Sequence, residues 1–111
     1  MTEEKYRPFN EDELLKQIGI QNVFDISGGR VQVWRTNDGQ ACRSITLPVS
    51  NGYSVEVYLA WDDTWTVTRQ FKRKGQYFNK GTVEGVYPEN VGEVAYKASC
   101  FRNVEFGKAV A

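Results

Sequence analysis

The sequence predicts an α+β domain, in which an antiparallel meander of about six strands carries an N-terminal and a C-terminal helix on one face. Turn-forming pairs such as Gly28-Gly29, Asn51-Gly52 and Lys74-Gly75 recur at short intervals, as they do in consecutive hairpins. The segments between them are rich in Val, Ile, Thr, Tyr and Trp, which favour strands. A segment with the apolar spacing of a helix precedes this region, and another follows it.

The first helix is expected over residues 11–18. Asn10 is a natural N-cap and Glu13, three residues later, completes a capping-box pattern. Gly19 is a suitable C-cap residue. These signals place a short helix before the first strand.

The second helix is expected at about 91–102, after Tyr87-Pro88 ends the sheet. Asn90 and Glu93 repeat the capping-box pattern. Apolar residues then recur at three- and four-residue spacing, which predicts one buried helical face. They are Val91, Val94, Ala95, Ala98 and Phe101.

Six strands are expected between the helices, at 22–27, 30–36, 40–49, 53–61, 64–73 and 76–87. Their register follows from the loops, because a slip of one residue moves every side chain to the other face. A three-residue loop at 50–52 keeps apolar residues opposite one another, and loops of the same length at 37–39, 62–64 and 73–75 do likewise. At Gly28-Gly29 a two-residue turn is preferred.

This register collects the apolar residues on one face, which the helices are expected to cover. The apolar face holds Phe24, Ile26, Val31, Val33, Ile45, Leu47, Val49, Val55, Val57, Leu59, Trp61, Trp65, Val67, Phe71, Tyr77 and Val83. The opposite, solvent-facing side holds Gln32, Ser44, Thr46, Ser54, Glu56, Thr64, Thr66, Thr68, Gln70, Lys72, Lys80 and Thr82.

Length and composition fit one domain. The chain has 111 residues, and we expect a flexible arm at 1–8, a domain at 9–106 and a loose tail at 107–111. The zero formal net charge does not favour general binding to polyanions. The sequence shows neither an apolar run near the length of a membrane span nor a signal peptide, so a cytoplasmic protein is expected.

Catalytic and metal-binding patterns are not found. The chain has no His, so it offers no Ser-His or Cys-His pair. Cys42 and Cys100 lack a Cys-x-x-Cys spacing and are expected to be reduced thiols. Asp62-Asp63 is explained by turn formation, since a calcium site would need about six oxygen ligands. We therefore expect a protein that is not an enzyme and uses no cofactor or metal.

The first candidate site is a partner-binding surface on the outer face of the sheet. Trp34, Tyr58 and Phe78 are expected there, with Arg30 nearby. Trp, Tyr and Arg are enriched at the centres of protein interfaces. A partner protein or a second copy of the chain is expected to bind there, so the protein would be a monomer or a homodimer.

The second candidate is a nucleic-acid site on the hairpin at 69–80. No acid occurs between Asp63 and Glu84, and a basic β-ribbon with aromatic residues can hold phosphates and stack bases. The alternative is a solvated hairpin whose charges discourage edge pairing. The residues concerned are Arg69, Lys72, Arg73, Lys74, Tyr77 and Lys80.

The third candidate consists of Arg35, Arg43 and Arg69, which the register places on the apolar face. A buried guanidinium needs a partner. It could pair with a helix acid such as Glu13 or Glu93, or extend past the helices to solvent. Alternatively, the three could line a cleft between sheet and helices that binds a small anionic ligand.

Two segments resemble small orphan proteins encoded by actinobacterial phages. They are Val55-Glu56-Val57-Tyr58-Leu59-Ala60-Trp61-Asp62-Asp63-Thr64-Trp65-Thr66-Val67 and Val91-Gly92-Glu93-Val94-Ala95-Tyr96-Lys97-Ala98-Ser99-Cys100-Phe101. The resemblance implies expression in the cytoplasm of an infected host and an accessory role against a host factor. It implies no activity and no functional residue.

The residues and the resemblance together predict a non-enzymatic binding protein. A nucleic-acid-binding protein is the alternative, and a binder of a small anion is the further alternative.

Overall fold

Three helices and one five-stranded antiparallel sheet make up the computed structural model, which describes residues 7–100. The elements are α1 (Glu11–Ile18), α2 (Ile20–Ser27), β1 (Gln32–Arg35), β2 (Cys42–Pro48), β3 (Tyr53–Leu59), β4 (Trp65–Arg73), β5 (Gln76–Val86) and α3 (Pro88–Cys100). The strand order β1-β2-β3-β4-β5 is a meander. The predicted α+β class is confirmed, with five strands where about six were expected. The tail at 107–111 and most of the arm lie outside the described residues.

Helix α1 has the predicted bounds because its caps are local. The Asn10 side chain accepts hydrogen bonds from the backbone N–H of Asp12 and Glu13, at 2.8 and 3.4 Å. Gly19 ends the helix with a φ of 94°, and its N–H donates to the carbonyl of Leu15 at 3.0 Å. Glycine adopts this conformation without steric cost.

The predicted strand at 22–27 is wrong, because this segment forms α2. Val23 and Ile26 are buried one helical turn apart, a spacing that places both on one face of a helix but on opposite faces of a strand. Gly28 has a left-handed φ of 67°, and its N–H donates to Phe24. The two glycines therefore end a helix and do not turn a hairpin.

The loop between β2 and β3 was predicted correctly. Ile45 lies opposite Val57 and Leu47 opposite Val55. The N–H of Val49 donates to the carbonyl of Tyr53 at 2.8 Å, which closes a three-residue loop. The apolar side chains of both strands consequently point toward the helices.

The loop between β3 and β4 is placed differently from the prediction. It spans 61–63, with the Ala60 N–H donating to Thr64 at 2.8 Å, so that Leu59 lies opposite Trp65. The register moves by two residues, which leaves every strand residue on its expected face. Trp61 was expected on the apolar face, but it lies in the loop and is 63% exposed.

The turn between β4 and β5 has two residues, Lys74 and Gly75, both with positive φ. A three-residue loop was expected, and the difference of one residue reverses the faces of the following side chains. Tyr77 lies opposite Lys72 on the outer face, whereas Phe78 lies opposite Phe71 on the helix side. Both placements correct the prediction.

An irregularity between β1 and β2 moves Arg43 away from the helices. Trp34 pairs with Ser44 and Arg35 pairs with Cys42, so Arg43 is the extra residue of a β-bulge. Arg43 then shares a pocket with outer-face residues, and Cys42 becomes fully buried. The expected position of Arg43 on the apolar face is wrong.

Helix α3 closes the helix side of the sheet. It begins at Pro88, so Asn90 lies inside its first turn and is not its N-cap as expected. A Cβ atom at Gly92 would lie 2.4 Å from the carbonyl oxygen of Ile18, which shows how closely α3 crosses α1. Phe101 lies outside the described residues. The buried hydrophobic cluster is Leu14, Ile18, Val23, Ile26, Cys42, Ile45, Leu47, Val55, Val57, Trp65, Val67, Val83, Val86, Val91, Val94, Ala95 and Ala98.

The outer face is also largely buried, which the sequence did not predict. Thr66 and Thr68 were expected to be exposed, yet they are 2% and 6% exposed. Their short side chains lie between longer neighbours on adjacent strands. The other buried polar residues of this face are Ser44, Thr46 and Ser54.

Candidate functional site

An apolar groove lies between α1, α2 and the segment that leads into β1. Its volume is about 690 Å³. Ile20 and Phe24 on α2 are 75% and 55% exposed, although both are large apolar side chains. The lining residues are Asp12, Leu15, Lys16, Ile20, Val23, Phe24, Gly29 and Val31. Large apolar side chains exposed around one groove indicate a binding surface.

Strand β1 runs beside this groove and is an edge strand. Within residues 7–100 it pairs with β2 on one side only. The backbone N–H and C=O groups on its other side are therefore available to another strand. Val31 lines the groove on the helix side, while Gln32 and Trp34 pair with outer-face residues of β2.

Arg35 fixes the far end of β1 to α1. Its guanidinium donates to Glu11 Oε2 at 2.6 Å. This hydrogen bond holds the pKa of Glu11 below its ordinary value. Arg35 thus has the helix-acid partner expected of a structural arginine, and the acid is Glu11.

The outer face carries a hydrogen-bonded polar network centred on Glu56. Ser44 Oγ donates to its Oε2 and Gln70 Nε2 donates to its Oε1, both at 3.0 Å. Ser54 Oγ donates to Gln70 Oε1 at 3.2 Å. Because side chains from three adjacent strands take part, the network fixes the positions of β2, β3 and β4 relative to one another.

Two adjoining pockets open on this outer face. One, of about 300 Å³, is lined by Trp34, Arg43, Thr46, Glu56, Gln70 and Tyr77. The other, of about 310 Å³, has Arg30, Gln32, Tyr53 and Lys72 among its lining residues. Both are lined by Thr46 and Tyr77, so they adjoin, and we call the two together the outer pocket.

The four predicted partner-binding residues do not form one surface. Trp34 is 39% exposed, and its Nε1 donates to Thr46 Oγ1 at 2.9 Å. Arg30 is exposed near the same edge. Tyr58 is buried, which raises the pKa of its hydroxyl, and Phe78 lies on the helix side. Only Arg30 and Trp34 remain at a common edge.

The residues predicted to bind nucleic acid also lie in separate parts of the structure. Lys72 and Tyr77 line the outer pocket, and the Lys72 ammonium lies 5.5 Å from the centre of the Tyr77 ring. Arg73 and Lys74 are exposed at the tip of the hairpin, and Lys80 is half-buried within the bulge of β5. Arg69 belongs to the helix side.

Arg69 contacts the C-terminal turn of α3. Its guanidinium donates to the carbonyl oxygen of Ala98 at 2.5 Å and lies 4.3 Å from the centre of the Tyr53 ring. A cation is favoured at a helix C-terminus. Since Arg35 binds Glu11 and Arg43 lies on the outer face, the three predicted anion-binding arginines occupy three separate environments.

The two cysteines differ in accessibility. Cys42 is fully buried, and burial raises the pKa of its thiol to about 11, so the reactive thiolate is scarce at neutral pH. Cys100 is exposed, and neither is in a disulfide. The side chain and N–H of Thr64 donate to Asp62, and Asp63 pairs with Arg7. Residues 7–100 contain no cluster of three His, Cys, Asp or Glu side chains able to hold a metal ion.

The chain matches no protein-family model, and it shows no significant similarity to a curated protein or to a solved structure. None of the described helices is both long and apolar enough to cross a membrane.

The groove beside β1 was missed because the segment that forms α2 was interpreted as a strand. Ile20, Val23 and Phe24 have the i, i+3, i+4 spacing of one helical face. That spacing was the available signal. It indicates a helix, but it does not show that Ile20 and Phe24 stay outside the core.

Proposed function

We propose that this protein is a non-enzymatic binding protein that holds an extended segment of a partner polypeptide against β1. The observation that supports it is the apolar groove directly beside an edge strand. Many recognition domains add a peptide strand to an exposed sheet edge and place alternate side chains in neighbouring pockets.

The backbone of β1 supplies the first part of the interaction. An added strand would satisfy the N–H and C=O groups on the side of β1 that faces away from β2. The four residues of β1 are enough for a short ladder. The opposite edge, β5, is less suitable because bulges interrupt its pairing with β4.

Side chains on the helix side of the partner strand would enter the apolar groove. Ile20 and Phe24 become buried when an apolar side chain occupies it, and burial of a Leu- or Phe-sized side chain contributes about 2 kcal/mol. Lys16 and Asp12 at the rim suit the polar backbone of the peptide. We therefore expect apolar residues at every second position of the partner segment.

Side chains on the other side of the partner strand would meet Arg30, Gln32 and Trp34. These three outer residues at the β1 edge include no acid, and Arg30 is exposed. An acidic side chain would pair with Arg30, and Trp34 offers a partly exposed ring. The expected segment alternates apolar residues with acidic or aromatic ones.

The resemblance to phage proteins supports a host protein as the source of that segment. On this proposal the chain acts as an accessory factor in the host cytoplasm. A second copy of the chain is the competing occupant, and it would bind the same groove through self-association.

The test uses a displayed library of random linear peptides selected against the wild-type protein. An enriched peptide is then labelled and titrated by fluorescence anisotropy against wild type, Ile20→Ser and Phe24→Ser. We expect each variant to lose about tenfold or more in affinity, since burial of one such apolar side chain contributes about 1.4 kcal/mol or more. Tyr87→Ser is the matched control, because Tyr87 is exposed and outside the groove.

Strand addition is tested separately by methylating alternate backbone nitrogens of the enriched peptide. Methylation of one of the two alternating sets of nitrogens should abolish binding, because the N–H groups of that set donate to backbone carbonyl groups of β1. Unchanged affinity for both sets, or for both groove variants, would refute the proposal. A concentration-dependent dimer that Phe24→Ser dissociates would assign the groove to a second copy of the chain.

A further inference from the structure

The outer pocket has a chemistry that is distinct from that of the groove beside β1. Its lining contains Arg30, Arg43 and Lys72, and Glu56 is the one acidic residue among the lining side chains. Glu56 accepts hydrogen bonds from Ser44 and Gln70. The depression is therefore locally positive although the whole chain has no net charge.

We propose that the outer pocket binds single-stranded nucleic acid, with bases stacked on Trp34 and Tyr77 and phosphates held by Arg30 and Lys72. Grooves that combine cations with exposed aromatic rings bind single strands in this way. The inference goes beyond the proposed function, because the ligand differs and because Tyr77 and Lys72 take no part in peptide binding, although Arg30 and Trp34 belong to both sites.

The two aromatic rings are positioned for stacking. Trp34 and Tyr77 are 39% and 45% exposed and line the same pocket. The hydrogen bond from Trp34 Nε1 to Thr46 restricts the orientation of the indole ring. A ring that is already ordered loses little conformational entropy when a base stacks on it.

Lys72 and Arg30 are the cations proposed to hold the phosphates of the stacked strand. Lys72 lies over the Tyr77 ring at 5.5 Å, and its long side chain can turn from the ring to a phosphate when a base takes its place. Arg30 lies in the adjoining pocket, and its guanidinium can hold a phosphate by two hydrogen bonds. Charge complementarity thus favours a polyanion over a neutral ligand.

Single strands are favoured over duplexes because the rings lie inside a depression. A base must leave its stack to reach Trp34 or Tyr77, which is easy for an unpaired strand and costly for a duplex. Gln70 and Thr46 also line the pocket, and their polar side chains can bond to base edges. Modest preferences among bases would arise from these groups.

The proposal is tested with fluorescein-labelled oligothymidylate and oligouridylate decamers, titrated with the full chain at low salt by anisotropy. Tyr77→Ala should weaken binding about tenfold, the usual effect of removing one stacking ring. Tyr87→Ala is the matched aromatic control and should bind as wild type, since Tyr87 is exposed outside the pocket.

The electrostatic contribution is tested by the dependence of affinity on salt. For a single strand, the slope of log K against log salt becomes shallower by roughly 0.7 for each phosphate that the protein ceases to neutralise. Lys72→Glu should weaken binding and flatten this slope, whereas Lys97→Glu should change neither, because Lys97 lies on α3 beside Glu93. A labelled duplex of the same length should bind at least about tenfold more weakly.

The outcomes separate this proposal from the peptide groove. Phe24→Ser should retain oligonucleotide binding, while Tyr77→Ala should retain peptide binding. No anisotropy change with either decamer at low salt, equal binding of the duplex, or wild-type affinity in Tyr77→Ala would each overturn the nucleic-acid site. Loss of oligonucleotide binding in Phe24→Ser alone would also overturn it.

Discussion

The two faces of the sheet are both buried, but by different means. On the helix side, Ile45, Val57 and Val67 are fully buried beneath the helices. On the outer face, Thr66 and Thr68 are nearly as inaccessible, although none of the three described helices covers them. Their neighbours' longer side chains and a hydrogen-bond network exclude water there.

This comparison shows that burial and hydrophobicity are separate properties of a sheet face. The helix side is stabilised by the transfer of apolar surface out of water, at about 25 cal/mol per Å². The outer face depends on hydrogen bonds such as those from Ser44 and Gln70 to Glu56, each with a net contribution of about 1 kcal/mol. Substitutions on the helix side should therefore lower the free energy of unfolding by more than substitutions on the outer face.

The largest effect is expected at Gly92, where α3 crosses α1. A Cβ atom there would lie 2.4 Å from a backbone carbonyl oxygen, so the helices must separate. Gly92→Ala should cost about 3 kcal/mol in the free energy of unfolding, measured by urea denaturation. The higher helix propensity of alanine offsets only about 1 kcal/mol. An unchanged or higher urea midpoint would show that the crossing is looser than the structure has it.

Val57→Ala tests the helix side in the middle of the sheet. Val57 is fully buried opposite Val67, and removal of its two methyl groups leaves a cavity. We expect a loss of about 2 to 3 kcal/mol, again from urea midpoints. A smaller loss than that of an outer-face variant would reverse the comparison between the faces.

Arg69→Met tests the role of the buried arginine on the helix side of the sheet. Its guanidinium is bonded to the carbonyl oxygen of Ala98, which methionine cannot satisfy. The expected cost is about 2 kcal/mol, the usual penalty for an unsatisfied buried acceptor. Added phosphate or nucleotide should not restore the melting temperature. A stabilised variant would indicate that the arginine serves a ligand and not α3.

Thr66→Val keeps the shape of an outer-face side chain and removes its hydroxyl. Thr66 is hydrogen-bonded to Tyr58, so the change leaves the buried phenol with one partner fewer. We expect a loss of about 1 kcal/mol. Thr66→Val at the stability of wild type, measured beside Val57→Ala, would show that the hydrogen bond between Thr66 and Tyr58 contributes nothing to stability.

The last prediction concerns Cys42, and its effect is confined to high pH. Burial raises the pKa of this thiol from 9.0 to about 11, so the unfolded chain loses its proton first. The associated stability is present below pH 9 and is lost as the pH rises through about 11. The slope of unfolding free energy against pH in this window should be shallower in Cys42→Ala. Equal slopes would show that the thiol titrates normally.

The parts of the fold that were predicted correctly depend on interactions between residues that are close in sequence. Asn10 caps α1 through its own first turn, and the loop at 50–52 determines the pairing of β2 with β3. The helical period of 91–98 also appears in α3. Each of these features is decided within about ten residues.

The errors arose where two local solutions were equally good. A loop of two or three residues at Lys74-Gly75 satisfies the turn rules, and the choice decides whether Tyr77 or Phe78 faces outward. The bulge at Arg43 has no strong sequence signal. Because the period of a strand is two residues, one such error reassigns a whole candidate site.

The sequence by itself determined the α+β class, the first helix, the apolar side of β2 and β3, and the lack of histidine chemistry. These follow from periodicity, caps and composition, which are properties of short segments. Only the tertiary structure decided that 20–27 is a helix beside an open edge, that Arg69 meets the end of α3, and that Trp34 and Tyr77 line one pocket. Such arrangements depend on loop lengths and on packing between distant segments. Their stability therefore includes contributions from the whole chain and not from one short segment.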